Sequence, residues 1–271
     1  MKITILGSGA WEGIPAPFCH CTVCSLAINN PSDKNNRTRP QLFVETATGA
    51  FLVEASPDLR QQSSRIDQVD ITDILVSHWH FDHMYGLHEL LTWSKKRIAN
   101  GKPPIIHGSA GTKSVVDREF SYLPFQYQLH RPFDTFTLNG VTITPIPLLH
   151  MRRQDESVPL DKVENTFGYM FDDGNRKVAY LADYYDVPER SLNAIKEADV
   201  IIADGTYLGT SAYRSQKVNH MHGDDILKFT QSIDAKKVYF HSVSHLLGQT
   251  HDELEAMLPS RHFLAFDGIE I

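Results

Sequence analysis

The 271-residue sequence predicts an α/β protein with mixed sheets. Short apolar runs rich in Val, Ile and aromatic residues recur along the chain, as expected for buried strands, and amphipathic stretches with helical spacing lie between them. An early hairpin, Leu42–Thr46 and Ala50–Glu54 joined at Ala47-Thr48-Gly49, indicates sheets that are not wholly parallel. At 41% hydrophobic residues the chain can bury a large core, and we expect one domain over residues 1–271.

Each predicted element rests on its length and pattern. The strand runs are two to six residues long and rich in β-branched residues. They are Ile3–Leu6, Leu42–Val44, Phe51–Val53, Ile74–Val76, Ile105–Ile106, Val141–Ile146, Val178–Leu181, Val200–Ala203 and Val238–Phe240. The amphipathic stretches of eight to twelve residues favour helices. They are Met84–Lys95, Thr112–Phe120, Val187–Glu197, Gly223–Ile233 and His251–Leu258.

The composition of the chain argues against two classes of function, nucleic-acid binding through bulk positive charge and membrane insertion. The formal net charge of -7 argues against binding nucleic acid through bulk positive charge, so no stable nucleic-acid partner is expected. No apolar stretch approaches the ~18 residues of a membrane span, and Met1–Leu6 is too short for a signal peptide. The sequence therefore predicts a cytoplasmic protein without a membrane partner, and it leaves a homodimer open.

A cluster of potential metal ligands, His78-Trp79-His80-Phe81-Asp82-His83, follows the predicted strand Ile74–Val76. A strand-to-helix junction is where an α/β fold presents functional groups. The first two histidines can face one point from an extended backbone, whereas the aspartate and the last histidine can turn toward a second point nearby. A solvated turn does not explain four potential ligands in six residues. The ligand types favour zinc without excluding iron or manganese.

Three further potential ligands stand at the ends of later apolar runs. His150 follows Val141–Leu149, Asp183 follows Val178–Ala182, and His241 follows Val238–Phe240. One such residue alone is usually structural. Their shared placement indicates that they join the first cluster at one edge of the fold.

The three cysteines of the chain, Cys19, Cys21 and Cys24, lie within six residues. They are odd in number and too close together for a disulfide framework. A small metal site is the better interpretation, because thiolates favour tetrahedral zinc.

With these motifs the sequence resembles the metallo-β-lactamase superfamily, whose signature is His-x-His-x-Asp-His followed by a His, an Asp and a His. The resemblance covers essentially the whole chain and implies an αββα sandwich with the site along one edge of two sheets. It implies two divalent metal ions. The ligands of the first would be His78, His80 and His150, those of the second Asp82, His83 and His241, and Asp183 would bridge the two.

Within that superfamily the opening Gly7-Ser8-Gly9-Ala10-Trp11-Glu12-Gly13-Ile14-Pro15, followed by Cys-x-Cys-x-x-Cys, is similar to the PhnP-type phosphodiesterases. That subgroup carries a separate structural zinc held by three cysteines and a histidine. The resemblance implies His245 as the fourth ligand here, and His20 competes for the position.

The implied activity is hydrolysis of a small, cyclic phosphodiester by a hydroxide that bridges the metals, because the positive charge of two divalent ions attracts an anionic substrate. His220 aligns with a histidine that lies by the scissile phosphate in RNase Z and PhnP-type enzymes, and it is the candidate acid, with His222 as the alternative. Asp204 would orient that histidine. Arg152 and Arg153, next to His150, are candidate phosphate contacts.

Other functions remain open. Enzymes that process tRNA 3′ ends carry a long arm between the third metal histidine and the bridging aspartate, but only 32 residues separate His150 from Asp183. Thioester hydrolases share the His-x-His-x-Asp-His motif but leave the cysteines unexplained. In a different class, PqqB proteins of PQQ biosynthesis share the cysteine pattern, which suggests a metal-stabilised carrier without turnover.

Overall fold

The structure, a computed structural model, describes residues 1–66, 70–150, 166–209 and 219–271. Its strands are β1 (Lys2–Gly7), β2 (Gln41–Thr46), β3 (Gly49–Val53), β4 (Ile71–Leu75), β5 (Ile105–Gly108), β6 (Gln126–Leu129), β7 (Phe136–Leu138), β8 (Val141–Pro147), β9 (Phe167–Asp172), β10 (Lys177–Tyr180), β11 (Val200–Asp204), β12 (Lys237–His241), β13 (His262–Leu264) and β14 (Ile269–Glu270). Its helices are α1 (Thr22–Asn29), α2 (Leu59–Gln62), α3 (Phe81–Met84), α4 (Leu91–Ala99), α5 (Ala110–Glu119), α6 (Glu189–Ile195), α7 (Gly223–Gln231) and α8 (His251–Met257). None of the helices in these ranges is long and apolar enough to cross a bilayer.

The strands form two sheets of mixed direction. The first has the order β14-β1-β2-β3-β4-β5-β6, antiparallel from β14 to β3 and parallel from β3 to β6. The second has the order β13-β12-β11-β10-β9-β8-β7, antiparallel from β7 to β10 and parallel from β10 to β13. The predicted α/β class with mixed sheets is confirmed, as is the hairpin of β2 and β3, in which Leu42 pairs with Val53.

The two sheets share one apolar core. Phe51 of β3 packs in it with Phe171 of β9 and Tyr180 of β10. Because side chains alternate along a strand, Leu52 points to the other face of the first sheet and packs under the helices on that side. The outer face of the second sheet packs against α6, α7 and α8. The layers therefore run helix, sheet, sheet, helix, which is the predicted αββα sandwich.

The prediction of one continuous helix over Met84–Lys95 is wrong. The chain forms α3, then a 3-10 helix over Tyr85–Leu90, then α4. The backbone N–H of Gly86 donates to the carbonyl of Ala55 at 2.8 Å, and a Cβ at Gly86 would lie 1.9 Å from the carbonyl oxygen of Ser56. This close approach to a neighbouring segment interrupts the α-helical hydrogen bonds.

The other predicted helices are present as α5 to α8 with ends that match or differ by at most two residues, and each predicted strand overlaps an observed one. Capping explains two of the helix starts, since Ser109 accepts a hydrogen bond from the N–H of Thr112, and Thr250 forms a capping box with Glu253. The pattern of the sequence did not predict α1, α2, β6, β7, β9, β13 and β14.

The topology brings the predicted ligands to one edge. Because β8 and β10 both run antiparallel to β9, they point in the same direction, and β11 and β12 run parallel to β10. The carboxyl ends of these four strands therefore meet at one edge of the second sheet. His150, Asp183, Asp204 and His241 lie at or just after those ends.

Candidate metal centre and catalytic cavity

Three imidazole nitrogens converge between the sheets. The Nε2 atoms of His78 and His150 each lie 3.0 Å from Nδ1 of His80. Oδ2 of Asp183 lies 3.5 Å from Nε2 of His150 and 3.8 Å from Nε2 of His78. The four ligand atoms lie within 4.8 Å of one another. Three nitrogens and one carboxylate oxygen at this spacing suit a tetrahedral metal ion.

A second group lies on the other side of Asp183. Nε2 of His83 is 3.2 Å from Oδ2 of Asp82 and 3.5 Å from Oδ2 of Asp183. Both ring nitrogens of His83 are buried without a hydrogen-bond partner. Because a buried polar atom left unpaired costs about 1–3 kcal/mol, a cation held by these three side chains would satisfy Nε2. The residues present therefore fit a metal ion here, and Asp183 lies between both groups, where a bridging ligand belongs.

The electrostatics of the histidines match this arrangement. Burial lowers the pKa of His78 and His80, and it lowers the pKa of His150 to about 3, so these rings are neutral, which is the form that binds a metal. Burial also acts to lower the pKa of His83, but the carboxylates around it outweigh burial and raise that pKa well above its usual value. A metal ion would compete with this proton for the same carboxylates.

A buried carboxylate that the sequence analysis missed supports His83. Glu54 directly follows β3, is fully buried and has a φ of 70°. Its Oε1 lies 3.2 Å from Nδ1 of His83 and accepts a hydrogen bond from the hydroxyl of Tyr180 at 3.1 Å, while its Oε2 accepts the N–H of Ser77. A carboxylate behind a ligating imidazole fixes the orientation of its ring. The predicted strand Ala50–Glu54 ended on this residue, so the strand-end criterion used for Asp183 would have found it.

His241 lies outside both groups. Its Nε2 donates toward the carbonyl of Leu181 at 3.3 Å, and its Nδ1 lies 2.9 Å from the hydroxyl of Ser242. Neither ring nitrogen belongs to a potential metal site in the part of the chain that the structure describes. A ligand role for His241 requires its ring to leave the Leu181 carbonyl, so that role stays a prediction.

His220 and Asp204 form a close pair beside Asp183. Oδ1 of Asp204 accepts hydrogen bonds from the backbone N–H and hydroxyl of Thr206, and its Oδ2 lies 2.6 Å from Nδ1 of His220. Nε2 of His220 then faces Oδ2 of Asp183 at 3.8 Å. Burial acts to lower the pKa of His220, but Asp204 and Asp183 raise it to about 9. The imidazole is therefore protonated at neutral pH.

Part of this centre, including Asp183 and His220, lines a cavity of about 390 Å³. Its lining residues are Ala10, Trp11, His80, Phe81, Asp82, His150, Asp183, Thr206, Tyr207, Asn219, His220 and Ser242. The alternative acid His222 is not among them, and its ring stacks on Tyr207 with centroids 5.3 Å apart. The predicted phosphate contacts Arg152 and Arg153 lie outside the described residues.

The cysteines form a separate site. Cys19, Cys21, Cys24 and His245 place their ligand atoms within 4.8 Å of one another, with Nδ1 of His245 lying 3.4 Å from Sγ of Cys19 and 3.8 Å from Sγ of Cys21. The exposed His20 is not part of this group. The helix α1 begins in the motif, since Sγ of Cys21 accepts the N–H of Cys24. Burial raises the pKa of Cys24 to about 12, so this thiol requires a cation to lose its proton near neutral pH.

Solved structures of known proteins resemble this fold over its whole length. A diphosphatase of the PhnP family is 27% identical with a TM-score of 0.82, and the match covers 100% of this chain and 96% of that one. Zn²⁺-bound PqqB from Methylobacterium extorquens is 24% identical with a TM-score of 0.85, covering 100% and 99%. Human short-form tRNase Z is 20% identical with a TM-score of 0.69, covering 100% and 98%.

Sequence relatives lead to the same family. An octanoyltransferase of Porphyromonas gingivalis is 26% identical over 278 residues, which is 100% of this chain but 51% of the relative, so the chain spans about half its length. Coenzyme PQQ synthesis protein B of Methylobacterium radiotolerans is 28% identical over 229 residues, covering 77% of this chain and 74% of the relative. The β-lactamase superfamily domain matches residues 50–241, which is well over half of the chain. With its metal-binding clusters at the edge of an αββα sandwich, the chain belongs to the metallo-β-lactamase superfamily.

Proposed function

We propose that the protein is a metal-dependent phosphodiesterase that hydrolyses a small, cyclic phosphodiester. The observation that carries the proposal is the position of His220, which Asp204 holds with Nε2 facing Asp183 at the cavity. A phosphodiester with an alkoxide leaving group needs a proton donor next to the leaving oxygen, and a protonated histidine there supplies one.

The residues present fit two divalent metal ions, for which zinc suits the ligand types best and iron or manganese are alternatives. The first would be held by His78, His80, His150 and Asp183, and the second by Asp82, His83 and Asp183, with His241 joining after a turn of its ring. Bound there, the ions would supply positive charge for the phosphate oxygens and a water acidified to act near neutral pH. A third, structural zinc would bind Cys19, Cys21, Cys24 and His245.

The chain's own residues would then do three things. Asp183 belongs to both groups of ligands and holds them at a fixed separation. His220 donates its Nε2 proton to the leaving oxygen. Asp204 accepts a hydrogen bond from Nδ1–H of the same ring throughout, so that the ring keeps its orientation and a positive charge until it donates.

The cavity supports a small substrate. Its volume of about 390 Å³ lies in the lower part of the range for small-molecule sites. The net charge of -7 disfavours a polyanionic partner. The PhnP-family diphosphatase, at 27% identity over the whole chain, supports phosphorus–oxygen bond hydrolysis over thioester cleavage.

Turnover of bis(p-nitrophenyl) phosphate, 2′,3′-cyclic nucleotides, cyclic ribose phosphates and a thioester panel tests the proposal. We expect hydrolysis of phosphodiesters by the metal-loaded protein and loss of activity by at least about 100-fold in Asp82→Ala. The matched control is Asp117→Ala, which removes an exposed carboxylate of α5 that pairs with Lys113. A protein with its full metal content that turns over no phosphodiester, or only thioesters, would contradict the proposal.

A second candidate is a metal-stabilised carrier or binding protein of coenzyme synthesis. The observation that favours it is the similarity to PQQ synthesis protein B, at 28% identity over 77% of this chain. The same experiment separates the two candidates. Tight binding of a small anion to the metal-loaded protein without turnover supports the carrier, and catalytic turnover excludes it.

A further inference from the structure

One tight turn reaches both metal-binding regions. The N–H of Gly13 donates to the carbonyl of Ala10 at 2.9 Å, and Gly13 has a φ of 67°, which favours glycine. The two central residues face different sites. Trp11 lines the catalytic cavity, whereas Glu12 lies against the segment that carries His245.

Glu12 is a buried carboxylate with few partners. It is 7% exposed, and its Oε1 accepts a hydrogen bond from the hydroxyl of Ser244 at 2.5 Å. The same oxygen lies 3.9 Å from Nε2 of His245, while Oε2 is buried without a hydrogen-bond partner. Among the residues that the structure describes, no Lys or Arg forms an ion pair with it. The polar side chains that contact this carboxylate are those of Ser244 and His245.

The ring of His245 has the right orientation for a carboxylate behind a metal ligand. Its Nδ1 faces the thiols of Cys19 and Cys21, and its Nε2 points to Glu12. A movement of about 1 Å brings Nε2–H into hydrogen-bond range of the carboxylate. Such a bond fixes the tautomer that leaves Nδ1 free for a metal ion and makes the ring a stronger donor.

The backbone joins this contact to the cavity. The N–H of Ala10 donates to the carbonyl of Val243 at 3.1 Å, and the N–H of Val243 donates to the carbonyl of Ser8 at 2.9 Å. Ser242 lines the cavity, and His245, three residues later, belongs to the cysteine site. Each of the two short segments, Ala10–Gly13 and 242–245, thus has one part at the catalytic cavity and another at the cysteine site. The hydrogen bond between Ser244 and Glu12 joins the two segments.

We propose that Glu12 is a positioning residue that couples the two sites. It orients His245 for the metal of the cysteine cluster, and through the same turn it holds Trp11 in the wall of the catalytic cavity. The coupling does not depend on which reaction the cavity performs. Metal bound by the cysteines therefore sets the shape of a wall that the substrate meets.

Titration of the purified chain with Co²⁺ tests the first half of the proposal, because thiolate-to-cobalt charge transfer reports the cysteine site separately from the histidine and carboxylate sites. We expect Glu12→Gln to weaken Co²⁺ binding there about 10- to 100-fold and to shift the ligand-field bands. Ser244→Ala should change binding in the same direction. Glu45→Gln, at a half-buried glutamate of β2 far from the cysteines in sequence, is the control, and circular dichroism checks that each variant is folded. A folded Glu12→Gln protein with the wild-type midpoint and spectrum would overturn the proposal.

Fluorescence of Trp11 tests the second half. The chain has three tryptophans, so Trp79→Phe with Trp93→Phe leaves Trp11 as the sole emitter. Zn²⁺ is added to this background with Asp82→Ala present to weaken the catalytic site. We expect the emission to change as the cysteine site fills, and the change to need about 10- to 100-fold more Zn²⁺ when Glu12→Gln is added. If Zn²⁺ fills the cysteine site without altering the emission, the coupling to Trp11 is wrong.

Discussion

Nδ1 of His220 lies 2.6 Å from Oδ2 of Asp204, at the carboxyl end of β11. Two hydrogen bonds from Thr206 hold the other oxygen of the same carboxylate. Asp204, the last residue of β11, therefore anchors the pair in the sheet, although His220 lies 16 residues further along the chain. Because Nε2 of His220 points to Asp183, a proton on this ring lies next to the proposed metal centre.

Removal of His220 should lower kcat more for a substrate whose leaving group is a strongly basic alkoxide than for one whose leaving group is a stable anion. We expect His220→Ala to reduce kcat for an alkyl phosphodiester about 10²- to 10⁴-fold, because the alkoxide then leaves without a proton. With bis(p-nitrophenyl) phosphate the loss should be less than about 10-fold, since p-nitrophenolate is a stable anion. Steady-state kinetics with both substrates measure this difference, and His88→Ala, at an exposed histidine, is the control. Equal losses with both substrates would exclude a role as proton donor.

The pH dependence of kcat should show the titration of His220. The protonated ring is the active form, so kcat for an alkyl phosphodiester should fall as pH rises through the pKa of His220, which Asp204 and Asp183 raise to about 9 against the effect of burial. Asp204→Asn removes one of these charges. It should move the basic limb of the profile to lower pH by about 1 to 3 units. An unchanged limb would mean that another group titrates there.

Glu54 should control the affinity of the metal next to His83. Glu54→Gln keeps the shape of the side chain but removes the charge behind Nδ1, and we expect metal affinity at the catalytic site to fall about 10- to 100-fold. Competition with a chromophoric chelator measures it. Glu45→Gln, on the neighbouring β2 and paired with Lys2, should bind metal like the wild type. Wild-type affinity in a folded Glu54→Gln protein would contradict the assignment.

Asp267 should be a main determinant of stability. Its Oδ1 accepts hydrogen bonds from the N–H and hydroxyl of Ser8. Its Oδ2 accepts hydrogen bonds from the N–H and hydroxyl of Thr38 and forms an ion pair with Arg65. Asp267→Ala leaves these donors unpaired, and we expect the free energy of unfolding to fall by about 3 kcal/mol.

Urea unfolding of the metal-loaded protein measures this change. Asp234→Ala, which removes a fully exposed partner of Arg261, is the control and should stay within about 0.5 kcal/mol of the wild type. A loss below about 1 kcal/mol in Asp267→Ala would mean that water replaces the carboxylate.

The pattern of the sequence predicted most central strands because they are short apolar runs between turn residues. Of the five strands that it missed, β9 is central and buried, and the other four, β6, β7, β13 and β14, lie at sheet edges. The chain from Gln126 to Leu129 is mostly exposed and polar, and the last strand, β14, has two residues. Such edge strands depend on the neighbour that they pair with rather than on their own composition. The prediction of one helix over Met84–Lys95 was wrong for a similar reason, because contacts of Gly86 with the distant residues Ala55 and Ser56 interrupt that helix.

The potential ligands could be identified from sequence where they lie close together. His78 to His83 form one local pattern, and His150 and Asp183 follow strands whose ends a parallel arrangement brings to one edge. Glu54, which ends a predicted strand, carried the same signal and was overlooked, whereas Glu12 had no such local signal. Glu12 meets Ser244 across 232 residues of chain, so only folding makes the contact.

By itself, then, the sequence determined the α/β layers, most of the potential ligand residues and the cluster of three cysteines. Tertiary structure decided which histidine joins the cysteines, because ligation depends on distances between atoms and not on spacing along the chain. His20 sits between two cysteines but is exposed, whereas His245 arrives from a distant segment with Nδ1 3.4 Å from Cys19. The tertiary structure also placed His241 against the Leu181 carbonyl and His220 against Asp204. Each of these contacts is made to the end of a strand that is distant in the sequence.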